Sequence, residues 1–386
     1  MEPTRERVKE STRPYLEAEL GFRNHWYPAL FTYELEGDEP KAVTMLGEKI
    51  LIRRVDGRLC AIEDRCAHRR VQLSAKLECY TKDTVTCWYH GFTYSFRDGS
   101  LVQVLTDPEC PLIGKLRVKS YPIREEQGMI FVFVGDVEPP ELADDLAPGF
   151  LDPDMAIAGM RRPIVGNWRL ATENGFDTTH IYIHRQSGVV TETDAVLPLG
   201  FIPQDKHSME IVEGPSGPKG VIDKLFLNYV PIFQAPIGDV TVSAVLKENG
   251  AMVAPEVSCW VPGALKLENF PFEGYYIFEW YVAIDERTHN YFQVLGKRVQ
   301  SEEERRAHQE KAHVYWKDVL WRGFNDQDLF AREWLEEAYT DGEGWSKERL
   351  YKPDMCLVEW RKLASRHNRG IQRRPLRPLD GSPAVK

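Results

Sequence analysis

The feature that most restricts this chain is a pair of short segments, Cys66-Ala67-His68 and Cys87-Trp88-Tyr89-His90, separated by eighteen residues. Each offers one thiolate and one imidazole from a loop between runs that read as β-strands. Two such loops can present four donors to a single object. A structural zinc site is one reading, but such sites usually open with two cysteines and close with two histidines, an order missing here. A two-iron cluster, with both cysteines on one iron and both histidines on the other, suits the separated pairs better. Cys60, Cys79, Cys110, Cys259 and Cys356 have no histidine at metal-ligand spacing and read as small buried hydrophobes.

The flanking sequence supports a compact all-β module. Residues 49–54 and 59–62 enclose Val55-Asp56-Gly57-Arg58, a hairpin signature, and Tyr94-Ser95-Phe96 with Asp98-Gly99 is a second. Residues 129–134 read as a fully buried strand. Ahead of the module, residues 1–40 start as a polar helix and run into the aromatic stretch ending at Pro28, which stops any helix. Behind it, residues 136–153 are rich in proline and acid and carry no periodicity, which marks a boundary. Strands and helices then mix. Residues 275–282 and 291–295 read as antiparallel neighbours around a turn near Glu286. Ser301 with Glu304 is a capping box for a helix towards 321, and Asp328 to Tyr339 reads as another helix. The expected domains are an N-terminal segment 1–40 packing on the catalytic domain, a cluster domain 41–150, a catalytic domain 151–369 and a disordered tail 370–386. The fold class is α+β, with an all-β domain first and an antiparallel sheet with helices second.

Composition narrows the partners. Forty-nine basic against fifty-nine acidic residues give net charge −10 with no basic run, so the electrostatic footprint of nucleic-acid or anionic-membrane binding is missing. No long apolar window and no signal-peptide pattern at the start MEPTRERVKE point to a cytoplasmic chain, and seven cysteines at low density suit reduced thiols. No Gly-x-Gly-x-x-Gly follows a strand, so NAD(P)H or flavin binding is not expected of this chain.

A second constellation lies at Asp177-Thr178-Thr179-His180-Ile181-Tyr182-Ile183-His184. On a helix the three chemical side chains share one face, and two imidazoles four apart can chelate one metal. The apolar Ile-Tyr-Ile between them predicts a buried helix. Ile181 stands where a zinc protease needs its glutamate, so hydrolysis by that route is not indicated. An iron(II) oxygenase site needs two histidines and one carboxylate, and the carboxylate must come from elsewhere. Asp326 and Asp328 are both available; both also read as acids favoured at a helix N-terminus.

Cys66-Ala67-His68-Arg69 and Cys87-Trp88-Tyr89-His90-Gly91-Phe92-Thr93-Tyr94 resemble the Rieske non-haem iron ring-hydroxylating oxygenase family. The similarity runs from Gly21–Pro28 through Glu173–His184, Trp260–Gly263 and 278–282 to Gly323-Phe324-Asn325 and Trp360–Ser365. No cysteine pair accompanies the motifs of the kind that forms a disulfide in the respiratory branch, and Arg70 departs from the glycine common after His-Arg. The resemblance implies Cys66, His68, Cys87 and His90 on a Rieske [2Fe-2S] cluster, and His180, His184 and Asp328, with Asp326 the rival, on a mononuclear Fe²⁺. It gives Asp177 a catalytic role, its carboxylate bonded to His180 and, in a neighbouring subunit of a ring-shaped homotrimer, to His90. It implies a substrate pocket of Ala254, Val257, Leu265, Leu267, Phe270, Phe324 and Asn325, with the Gly175 carbonyl accepting a ring N–H. The implied function is the terminal oxygenase component of an aromatic-ring dioxygenase, performing angular cis-dihydroxylation. It would use O₂ and electrons from a ferredoxin, itself served by an NAD(P)H-dependent reductase. Arg7, Lys9 and Arg13 could meet an acidic ferredoxin or simply be solvated. A Rieske monooxygenase or demethylase, and a non-catalytic electron carrier, are the alternatives.

Overall fold

The structure is a computed structural model that describes residues 5–35, 37–204, 209–214, 217–224, 229–253, 255–340 and 343–373. Ala254 and the tail from 374 onward lie outside the described residues, as do the side chains of Arg7 and Lys9. The chain forms two compact units, one spanning 24–140 and one joining residues up to 23 with those from 141 on.

The first unit is all β. Strands β1 (His25–Phe31), β2 (Lys41–Met45), β3 (Glu48–Val55), β4 (Arg58–Glu63), β5 (Thr84–Thr86), β6 (Phe92–Ser95), β7 (Leu101–Val104), β8 (Ile123–Glu126) and β9 (Met129–Val134) form three antiparallel sheets, ordered β1-β9-β8, β2-β3-β4 and β5-β6-β7. Asp56 and Gly57 both take positive φ, so the β3–β4 hairpin turns in two residues, with Val55 paired to Arg58. All six residues of β9 are buried, because β1 and β8 flank it.

The expected boundaries shift at both ends of this unit. Residues 24–40 do not join the N-terminal segment on the catalytic unit. β1 pairs with β9 from His25↔Val134 to Phe31↔Met129, and the Trp26 indole donates to the Pro140 carbonyl at 2.8 Å. Residues 141–150 belong instead with the second unit, where the buried Asp145 accepts from Arg369 at 2.8 Å.

In the second unit a seven-stranded antiparallel sheet runs in the order Met155–Val165, Thr288–Arg298, Tyr275–Ala283, Ala264–Glu268, Glu256–Trp260, Gly217–Asp223, Met209–Gly214. The expected hairpin forms its second and third strands: Tyr275–Ala283 pairs with Thr288–Arg298 over nine positions. Helix α1 (Arg5–Glu17) buries Tyr15, whose ring meets Trp168 and Phe22. Ser301 caps the Glu302–Lys311 α-helix by accepting from the Glu304 N–H at 3.2 Å, and that helix continues as π-helix over Ala312–Arg322. The next helix, Asn325–Tyr339, begins three residues before the expected start at Asp328. Gly370–Arg373 are not the start of a free tail. Arg23 donates its N–H to Gly370, Gln372 donates to Gly21, and Ile371 bridges Phe22. Among the described residues no helix is long and apolar enough to cross a membrane.

Candidate metal centres and substrate pocket

The two Cys–His loops of the first unit are copies of one design. In each, the cysteine N–H donates to the carbonyl five residues on, Cys66 to Val71 at 2.9 Å and Cys87 to Phe92 at 2.7 Å. In each, the N–H four residues on returns to the cysteine carbonyl, from Arg70 at 2.9 Å and from Gly91 at 3.0 Å. That fourth residue takes positive φ in both, +61° at Arg70 and +69° at Gly91. Arg70 thus carries a side chain where the turn favours glycine. Its guanidinium rests on Glu63.

The turns bury both sulfurs and leave the imidazoles outside. Cys66 and Cys87 are each 1% exposed, whereas His68 is exposed and His90 half-buried. The His68 and His90 rings lie 4.8 Å apart, edge to face, with Phe92 stacked on His68. Burial pushes the Cys87 thiol up, and the adjacent Cys66 adds to the shift. The Tyr94 hydroxyl lies 3.2 Å from the Cys66 sulfur and accepts the Ala67 N–H at 3.0 Å. Two buried thiols side by side and two imidazoles at the surface fit a cluster with one sulfur-bound and one nitrogen-bound iron.

The second donor set forms in the other unit. Helix α2 (Trp168–Phe176), capped by Asn167, stops at Asp177. The Asp177 side chain accepts from the Thr179 N–H at 2.8 Å and so caps a separate 3₁₀ helix, Thr178–His184. The single α-helix expected across Asp177 is therefore two helices, because Asp is a better cap than a mid-helix residue. Four residues of ideal 3₁₀ helix separate two side chains by about 120° rather than about 40°. The rings of His180 and His184 nevertheless converge, since each is anchored at Nδ1. His184 bonds the Gln327 side chain at 3.0 Å and His180 the Asp177 backbone carbonyl. That contact corrects the expected carboxylate bond from Asp177 to His180: within the chain the carboxylate serves Thr179 instead. Tyr182, expected to be buried, is 45% exposed and lies against Arg185.

Both Nε2 atoms point to the same carboxylate. Asp328 Oδ1 lies 3.4 Å from His180 and 3.3 Å from His184. The three donor atoms lie within 4.8 Å of one another, the only such group among the described residues. Asp326 is instead paired with Arg162. His184 Nε2 is buried without a hydrogen-bond partner, as expected of an atom meant for a metal. Phe324 stacks on its ring, centroids 3.6 Å apart. Burial would raise the Asp328 carboxyl, but His184, His180 and Arg332 hold it well below the usual range. Two imidazoles, one carboxylate and an open side fit a mononuclear iron.

The open side is an apolar pocket. Gly175, Val257, Leu265, Leu267, Phe270, Phe324 and Asn325 line it, as do Asp177, His180 and Asp328. Ala254 lies outside the described residues, between the lining residues Val253 and Pro255. Gly175 has no room for a side chain: a Cβ there would meet the Tyr281 hydroxyl at 2.5 Å and Leu265 at 2.7 Å.

Sequence reasoning missed the polar floor. Glu279 lines the pocket and accepts from Tyr281 and Tyr291, each at 2.5 Å, and from Asn325 at 2.8 Å. Burial raises the Glu279 carboxyl, opposed by Arg332 and the two hydroxyls. The signal was present: Ile277 also lines the pocket, and a lone acid two residues after it in an otherwise apolar and aromatic strand faces the same side.

The two units with their two donor sets define an iron-dependent Rieske oxygenase. A family model of the Rieske [2Fe-2S] domain matches residues 25–122, and one of the homotrimeric ring hydroxylases matches residues 133–372. The chain belongs to this ring-hydroxylase family, which combines a Rieske cluster with a mononuclear iron site.

Within it, the chain is 47% identical over 365 residues to the terminal oxygenase component of carbazole 1,9a-dioxygenase from Metapseudomonas resinovorans, covering 93% of this chain and 94% of the relative. The solved terminal oxygenase of carbazole 1,9a-dioxygenase from Novosphingobium sp. KA1 superimposes with a TM-score of 0.92 at 48% identity, over 96% of this chain and 99% of that one. A carbazole-bound variant of such an oxygenase, in complex with ferredoxin, matches with a TM-score of 0.90 at 46% identity, over 95% of each chain.

Proposed function

We propose that the chain is the terminal oxygenase component of a carbazole 1,9a-dioxygenase. The supporting observation is the His180–His184–Asp328 group opening on an apolar pocket, in a chain alike nearly end to end to those oxygenases. Cys66, His68, Cys87 and His90 would hold the [2Fe-2S] cluster, and His180, His184 and Asp328 the ferrous ion. When bound, the cluster supplies single electrons and the ferrous ion a site for O₂.

The protein's own part is positioning. Val257, Leu265, Leu267, Phe270 and Phe324 grip a flat tricyclic ring and exclude water, and the Gly175 carbonyl accepts its N–H. Gln327 and the Asp177 carbonyl fix the two imidazoles with Nε2 inward. Asp177 lines the pocket rim and would face His90 of a neighbouring copy in a homotrimer, joining the two centres across subunits. A ferredoxin, reduced by a separate NAD(P)H-dependent enzyme, would deliver the electrons, in the cytoplasm. Carbazole, O₂, two electrons and two protons give the angular cis-dihydrodiol. Its C9a–N bond then breaks, restoring the aromatic ring as 2′-aminobiphenyl-2,3-diol.

Reconstitution with ferredoxin and reductase under ¹⁸O₂ tests this reading. Both labelled atoms are expected in the product. A single labelled atom would assign the chain to the monooxygenases.

A further inference from the structure

Beside the metal group, Asp328 belongs to a buried charge cluster whose other members, Glu279 and Arg332, line the pocket without ligating the metal. Glu279, Arg332 and Asp328 are 5%, 1% and 4% exposed. A guanidinium taken out of water needs hydrogen bonds and a counter-charge. Arg332 Nε donates to Asn174 Oδ1 at 2.7 Å, while Nη1 has no partner among the described residues. Its carbon lies 5.0 Å from the Tyr281 ring and 4.5 Å from the Tyr291 ring. The hydroxyls of those tyrosines donate hydrogen bonds to Glu279, and Asn325 adds a third donor. The Tyr291 hydroxyl accepts from Asn325 at 2.7 Å while donating to Glu279. A carboxylate surrounded only by donors has the pattern of an ionised acid. Glu279 and Arg332 thus engage the same two tyrosines, Glu279 at the hydroxyls and Arg332 over the rings.

The same arginine reaches the metal group. Asn174, held by Arg332, donates its amide to Asp328 Oδ1 at 3.2 Å. One guanidinium is therefore linked to two buried carboxylates, to Asp328 through Asn174 and to Glu279 through the two tyrosines. With Glu279 charged, Arg332 is balanced and Asp328 keeps its charge for a cation. With Glu279 neutral, Asp328 is the anion left to pair with Arg332, and a carboxylate engaged by a guanidinium is a weaker metal donor.

We propose that Glu279 is a positioning residue for the metal: through Tyr281 and Tyr291 it holds Arg332 on Asn174, which leaves the Asp328 carboxylate free to bind iron. The inference rests on the reading of His180, His184 and Asp328 as the iron's donors.

The test uses full-length protein carrying its cluster, stripped of mononuclear iron and titrated anaerobically with Fe²⁺. Iron per chain and the spin-resonance signal of the Fe²⁺–nitric oxide adduct are read, with the cluster absorbance as internal standard. Glu279→Gln should weaken Fe²⁺ binding about tenfold or more, which corresponds to about 1.4 kcal/mol. Adding Arg332→Gln should restore a large part of it, because the uncompensated cation is gone. Wild-type affinity in Glu279→Gln overturns the inference, and so does a double variant no better than the single one, the result a packing role would give. If Glu279→Gln does not accumulate folded, Tyr291→Phe, which removes one donor and keeps every charge, should weaken binding about threefold, and unchanged binding overturns the inference. Asp328→Ala separates the two levels: iron retained there sinks the donor reading, whereas iron lost there but kept in Glu279→Gln sinks only the role of Glu279.

Discussion

The two donor sets differ in what holds them. Each Cys–His loop is closed by its own backbone, through hydrogen bonds confined to six consecutive residues. The His180–His184–Asp328 group is assembled by side chains from distant segments: Gln327 and the Asp177 carbonyl orient the rings, and Asn174 steadies the carboxylate. The first design depends on its own backbone turn and fails when a cysteine is lost. The second is a network of buried polar groups, in which removal of one member leaves others unpaired. The two sites should therefore fail independently, and by different rules.

The largest effect expected from this contrast is complete loss of turnover from either side, with opposite metal signatures. Asp328→Ala should abolish product formation and mononuclear iron while the visible spectrum of the cluster stays intact. Cys66→Ser should abolish product and cluster absorbance while Fe²⁺ still binds the second unit. Loss of both metals in either variant would break the claim of independence. A smaller loss is expected at Gly175→Ala, whose Cβ must displace the Tyr281 hydroxyl and Leu265. Overpacking of this kind costs about 1–3 kcal/mol of stability, and the displaced Leu265 narrows the pocket, so kcat/KM for carbazole should fall with both metals retained. Unchanged steady-state kinetics would show that the pocket floor yields.

How much could be read beforehand follows the same division. The cluster loops were legible because ligand identity, spacing and turn residues are all local, as were the hairpin at Asp56-Gly57 and the buried run at 129–134. The histidine pair was visible, but its setting was not: Asp177 ends one helix and caps another, and only the fold decides between Asp326, turned to Arg162, and Asp328, turned to the imidazoles. The unit boundaries moved because β1 is claimed by β9, a pairing across about a hundred residues that no local pattern reveals. Glu279, Arg332 and Asn174 escaped notice for the same reason, each being unremarkable until the sheet and helices bring them together.

Within the cluster unit, Tyr94→Phe tests whether a side-chain contact matters to a site that its backbone otherwise holds. The Tyr94 hydroxyl is free to donate to the Cys66 sulfur, which favours the more negative, reduced cluster. One hydrogen bond of about 0.5–1.5 kcal/mol corresponds to roughly 20–60 mV for one electron, so the midpoint potential should fall by that amount. A potential that stays put would show that the hydroxyl serves only the Ala67 N–H.

The sharpest comparison is between the two loops themselves, at their shared position of positive φ. Gly91→Ala adds a Cβ that would meet the Leu105 Cβ at 2.8 Å, on top of about 1 kcal/mol for the left-handed backbone. Cluster retention on heating should therefore suffer by about 2 kcal/mol or more. Arg70→Gly runs the other way. It relieves the same backbone strain, but it gives up the exposed pairing with Glu63, worth at most about 1 kcal/mol, and adds freedom to the unfolded chain. These terms oppose one another, so its net change should stay within about 1 kcal/mol. The temperature at which cluster absorbance is lost reads both variants. Equal and large shifts would mean that Arg70 has become as necessary to its loop as Gly91 is to its own, through Glu63 rather than through the backbone.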